Sequence, residues 1–184
     1  MAQVPTGSTF YIASAYGSAK TVTIVTNATE AVVTSVAHGF SNGDVVEMTS
    51  GWGRLNKRHF EIESVLTDSF VLSGEDTTNT TFYPVGTGIG SVRKATTFTQ
   101  ITSVMNPQSS GGDPKTVTYK FVESDVEYSI NDGFGATSYT MELDADALGS
   151  AGYTALKSLT QVQTDTCLKV VTRSGSRVYQ PCTV

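Results

Sequence analysis

The chain has 184 residues, 39% of them hydrophobic and 16% charged, enough apolar content for one generous domain or two small ones and far from a disordered composition. A net charge of −5 and a pI of about 4.9 exclude a basic footprint for holding nucleic acid tightly. No run of about 18 apolar residues offers a membrane span, and Met1-Ala2-Gln3-Val4-Pro5 lacks the basic and apolar regions of a signal peptide. The chain is therefore expected to be made and used without membrane translocation. Abundant Thr, Ser, Gly and Val favour strands and turns over amphipathic helices, so the expected fold class is all-β.

The first predicted strand is Ser8–Ser14, after an arm containing Pro5 and Gly7. In Val36-Ala37-His38-Gly39-Phe40-Ser41-Asn42-Gly43-Asp44-Val45-Val46-Glu47-Met48, Gly39 and Asn42-Gly43 supply the positive-φ positions of a tight connection between two apolar strands. Arg58–Val65 alternates polar and apolar, Leu66-Thr67-Asp68-Ser69 turns, and Phe70-Val71-Leu72 returns. Trp52, flanked by Gly51 and Gly53, is a candidate external contact for a partner or a sugar; the competing reading, that it closes a small core, is favoured because few large residues are available to do so. Gly86-Thr87-Gly88-Ile89-Gly90 has neither the spacing nor the following helix of a phosphate loop and reads as a connector into a long strand, Thr96–Met105. Residues 21–93 thus look like a unit inserted at a hairpin tip of a parent domain made of residues 1–20 and 94–184.

In the parent part, Asn106-Pro107-Gln108-Ser109-Ser110-Gly111-Gly112-Asp113-Pro114-Lys115 carries two prolines and a Gly-Gly pair and is predicted to be a long loop. Lacking apolar residues to pack on its own domain, it is a candidate contact to another subunit. Thr116–Ile130 reads as a strand with Glu123, Asp125 and Glu127 on one face and Val122, Val126, Tyr128 and Ile130 on the other. Same-face positions lie about 7 Å apart, too far to share a proton, so the three acids form a charged surface in preference to a calcium site. One helix is predicted, capped by Ser150 and starting near Ala151-Gly152, with Tyr153, Leu156, Leu159 and Val162 at helical spacing. A closing hairpin turns at Ser174-Gly175; a two-residue turn would set Cys167 directly opposite Cys182, with free, packed thiols as the favoured state.

Charge is uneven. Between Asp113 and Asp146 the acids Asp113, Glu123, Asp125, Glu127, Asp132, Glu142, Asp144 and Asp146 face only Lys115 and Lys120, whereas from Thr154 onward Lys157, Lys169, Arg173 and Arg177 face Asp165 alone. Opposite signs at different places suit self-assembly, as they also suit solvated faces. His38 in a turn and His59 in a strand have no nucleophile beside them, and neither the histidines nor the cysteines have metal-site spacing. No enzyme, cofactor or metal site is expected.

Two resemblances organise these pieces. The segment from Val22 to Lys94, through Ala37–Val46, Leu55-Asn56-Lys57-Arg58-His59-Phe60 and Asp68–Leu72, resembles the small β-barrel-like module named after the first catalytic-cysteine half-domain of ubiquitin-activating enzymes, a module that phage structural proteins carry. It holds no cysteine here, so only the shape would transfer. The remaining chain resembles tail tube proteins of long, non-contractile-tailed phages. The order of its parts carries this likeness: Thr9–Ala13, Phe98–Val104, the Pro/Gly stretch leading to Val117–Lys120, the segment Gly152–Leu159, and the hairpin ending in Pro181-Cys182-Thr183-Val184. The resemblance implies a β-sandwich with one flanking helix, forming homo-hexameric rings that stack into a tube. It also implies a virion protein assembled in the bacterial host cytoplasm. Its partners would be a tape measure protein in the lumen before ejection and tail terminator and distal tail proteins at the ends, with DNA passing without specific binding. In such a conduit an acidic lining would repel phosphate, which makes Glu123, Asp125 and Glu127 the lumen-lining candidates and Asn106–Lys115 the inter-ring or inter-subunit candidates. The alternative is a phage decoration or receptor-binding module.

Overall fold

Alternating apolar and polar residues set most elements of the computed structural model, which describes residues 6–184. Up to β8 they are β1 (Thr9–Tyr16), β2 (Lys20–Val22), β3 (Ile24–Val25), β4 (Val32–Thr34), β5 (Val45–Ser50), β6 (Arg58–Glu63), β7 (Ser69–Leu72) and β8 (Gly90–Ile101). Then come β9 (Val104–Gly111), β10 (Pro114–Tyr119), β11 (Tyr128–Phe134), β12 (Thr137–Leu143), the helix α1 (Ala151–Val162), β13 (Thr166–Val171) and β14 (Arg177–Cys182). The protein is all-β with one α-helix among the described residues, as expected. The start of the expected N-terminal arm, Pro5 included, lies outside the described residues.

Two compact units emerge: residues up to Thr102 together with Ala147–Val184, and Ser103–Asp146. The first holds an antiparallel sheet in the order β14-β13-β1-β8-β5-β6-β7-β4-β3, with β2 also on β8. The long strand β8 is its seam: Gly90–Lys94 pairs with β5, and Ala95–Ile101 pairs with β1. Residues 21–93 and their flanks therefore share one hydrogen-bonded sheet. Alternation along β5 sorts side chains between two cores. Val46 and Met48 join Val33, Trp52, Leu55, Phe60, Ile62, Phe70 and Leu72 in the larger, while Val45 joins Ala13, Ala95 and Cys167 in the smaller.

The Val36–Met48 stretch links β4 to β5 without pairing them, since β4 lies between β3 and β7 and β5 between β6 and β8. Gly39 and Gly43 take φ of 71° and 82°, as the turn chemistry requires. Helix α1 begins as its sequence dictates: the Ser150 hydroxyl accepts the Tyr153 N–H at 3.2 Å. Tyr153, Leu156 and Leu159 are half-buried while Val162 is exposed. Gly152 fixes the approach to the sheet, because a Cβ there would lie 2.4 Å from the Gln100 carbonyl oxygen of β8.

The closing hairpin corrects the expected register by one residue. Gly175 adopts φ 88°, its N–H donates to Thr172 O, and the Thr172 N–H donates to Ser176 O. This turn, closed by a left-handed glycine, holds one residue more than a two-residue turn. Cys167 consequently faces Pro181, and Thr166 faces Cys182; both cysteines are free thiols.

The second unit is a two-stranded ribbon. The chain runs out along β9 and β10 and returns along β11 and β12, with β9 paired to β12 and β10 to β11. The long loop expected at Asn106–Lys115 is thus strand for most of its length. Each breaker residue sits where a ladder tolerates it. Asn106 (φ 45°) and Pro107 together face Met141 at a bulge, and Pro114 opens β10. Gly111 (φ 86°) marks the step between the two halves, where a Cβ would lie 2.0 Å from Ala136 O.

Candidate assembly surface

The strand expected at Thr116–Ile130 is interrupted, which changes the setting of the three acids. β10 ends at Tyr119, the chain turns with the Ser124 N–H donating to Phe121 O at 3.1 Å, and β11 starts at Tyr128. Ser124 Oγ accepts the Val126 N–H at 3.1 Å and tightens that turn. Glu123, Asp125 and Glu127 therefore lie in the connection at the ribbon's tip and do not share a strand face. Phe121-Val122-Glu123-Ser124-Asp125-Val126-Glu127 alternates well enough to mimic a strand, and Ser124 is the one turn-forming residue in it that marks the interruption.

Apolar side chains accompany the acids. Tyr119 and Tyr128 oppose each other across the ladder with ring centroids 5.5 Å apart and stacked at 25°. Phe121 packs edge-on to Tyr119 at 5.4 Å. Around this trio Phe121 is 53% exposed, Val122 fully exposed and Val126 58% exposed. No residue of Ser103–Asp146 is buried, and every residue of β10 and β11 is exposed. A lone two-stranded hairpin is marginal in water, and contiguous exposed apolar surface marks an interaction site.

Trp52 is not available to an external partner: it is 1% exposed. Its Nε1–H donates to Pro84 O at 2.8 Å and Thr87 Oγ1 at 3.0 Å, and its ring meets Tyr83 edge-on at 5.2 Å. The exposed aromatic in that neighbourhood is Phe82, covered by the Arg54 guanidinium 3.6 Å from its centroid. The separation of these two residues in sequence hid that pairing.

A buried polar cluster, also unforeseen, lies along the β8 seam. Arg93 Nε donates to Glu47 Oε2 at 2.7 Å, Tyr16 Oη lies 2.9 Å from His59 Nε2, and His59 Nε2 is 3.8 Å from Glu47 Oε2. Glu47 and His59 are both buried. Burial, reinforced by Arg93, pulls the His59 pKa down to about 4, and burial raises that of Tyr16. Cys167 is pushed up to about 12, chiefly by burial, so its thiol is inert as a nucleophile. The other histidine, His38, is buried against Phe40 and Phe70, and its Nδ1 accepts the Phe40 N–H at 3.0 Å. Among the described residues no group of three or more His, Cys, Asp or Glu side chains could hold a metal ion, and no helix is long and apolar enough to cross a membrane.

Among the described residues the protein is mostly antiparallel β, with one α-helix and an exposed ribbon. Residues 50–184, well over half the chain, match the family described as phage tail tube protein, and the chain belongs to that family. The match starts at the last residue of β5 and runs through the helix, the ribbon and the closing hairpin. No curated protein matches the chain. The family is structural and not one of enzymes, so the role is that of a component of the phage tail within the virion.

Proposed function

We propose that the chain assembles into hexameric rings, stacked into the tube through which the phage genome is ejected, and that the ribbon Ser103–Asp146 is its main assembly element. The observation that carries this reading is the ribbon's exposure: a two-stranded arm without one buried residue and with an apolar tip. Such an arm gains stability when a neighbour covers it. Asn106–Lys115 contributes as the arm's outgoing strand, making contacts between rings or between subunits. In this reading residues 21–93 lie on the outside of the tube, tied to the rest of the sheet by β8 and by the ion pairs Arg177–Glu61 (2.6 Å) and Lys57–Asp165. A tape measure protein fills the lumen before ejection, terminator and distal proteins close the ends, and assembly takes place in the host cytoplasm.

Negative-stain microscopy of purified, concentrated protein tests this directly. Hollow rings or tubes are expected. A uniform monomer or trimer would favour a decoration or receptor-binding role instead.

A further inference from the structure

The apolar tip of the arm needs an occupant, and the charges around it select one. Phe121, Val122 and Val126 are exposed beside Glu123, Asp125 and Glu127, and none of these three carboxylates is in an ion pair among the described residues. A wall meant only to repel phosphate gains nothing from exposed Phe and Val. An apolar centre with a charged rim is the anatomy of a protein interface.

The complementary surface is the turn end of the β13–β14 hairpin. Arg173 is exposed in the turn and in no ion pair among the described residues. Arg177, exposed at the start of β14, already pairs with Glu61 at 2.6 Å, which leaves Arg173, among the described residues, as the unpaired cation of the turn. Lys169, opposite Tyr179 in the ladder, lies over the rings of Tyr11 and Phe98 at 4.6 and 4.4 Å. β14 ends the strand order of the sheet, so its outer edge offers unpaired backbone groups beside these cations.

Resting on the tube reading above, we infer that the arm tip Phe121–Glu127 docks on the cationic β13–β14 hairpin end of a second copy. The two patches differ, and in a ring or stack the contact runs head to tail from each copy to the next. Contacts of that kind generate rings or helical stacks and not closed dimers.

Cysteine cross-linking tests this in the full chain. Val122→Cys and Ser174→Cys variants, mixed at assembling concentrations and oxidised, are expected to give disulfide-linked dimers, with little product from either variant alone or from the wild type carrying Cys167 and Cys182. Tubes or rings without the mixed dimer, or efficient linkage of Val122→Cys to itself, would overturn the inference while leaving the tube reading intact. A wild-type chain that forms neither rings nor tubes would end both. As an independent arm, E123K/D125K/E127K should raise the concentration needed for assembly about tenfold or more, with the circular dichroism of the subunit unchanged. If those variant tubes form normally and only DNA ejection suffers, the three acids line the lumen and the docking is wrong.

Discussion

The two units of the chain use the same β alphabet to opposite ends. In the first, alternation along β5, β6 and β7 delivers Val46, Phe60, Ile62 and Phe70 into a core closed within one subunit. In the second, β10 and β11 form a regular ladder whose side chains are exposed throughout. A strand pattern therefore fixes pairing but not burial, and in the proposed reading the ladder that buries nothing in its own chain is covered by another copy.

Core truncation in the first unit should give the largest effect on subunit stability. Phe70→Ala, at a fully buried site, is expected to cost about 3–5 kcal/mol, read as the midpoint shift in urea. A cost below about 1 kcal/mol would deny the contrast between the units. Acid should act next. His59 has a folded-state pKa of about 4 against an ordinary 6.5, so the unfolded chain binds more protons between those values. The stability it contributes is complete above about pH 6.5 and falls as pH drops toward 4, by up to about 3 kcal/mol. His59→Gln should flatten that slope in pH-dependent unfolding.

Much of the first unit is legible in the sequence because its signals are local. Ser150 before Ala151-Gly152 marks the helix start, and Gly39 and Gly43 mark turn positions. The ribbon was hidden for an equally physical reason. Pro107, Gly111, Gly112 and Pro114 break strands in general, yet here they occupy a bulge, a step and a strand start, and their allowance depends on partner residues far along the chain, such as Thr137 for Gly111 and Phe134 for Pro114. The turn of the closing hairpin misled by a single residue, which was enough to move Cys182 from Cys167 to Thr166. The polar cluster of Tyr16, Glu47, His59 and Arg93 joins four strands and has no local signature at all.

Smaller effects sharpen the same contrast. Gly152→Ala puts a methyl against Gln100 O and should cost about 1–3 kcal/mol by pushing the helix off β8, measured by thermal unfolding. Phe121→Ser and Val126→Ser, on the arm, should each change subunit stability by under about 0.5 kcal/mol and yet reduce assembly, scored by sedimentation. Equal effects of core and tip substitutions on the isolated subunit would mean that the arm is packed on its own chain.

The most direct measurement is amide hydrogen exchange of the same protein before and after assembly. The arm Ser103–Asp146 should exchange quickly in the free subunit and become strongly protected in tubes, while β5, β6 and β7 are protected in both. An arm already protected in the free subunit, or still unprotected in assembled tubes, would contradict its role as the assembly element.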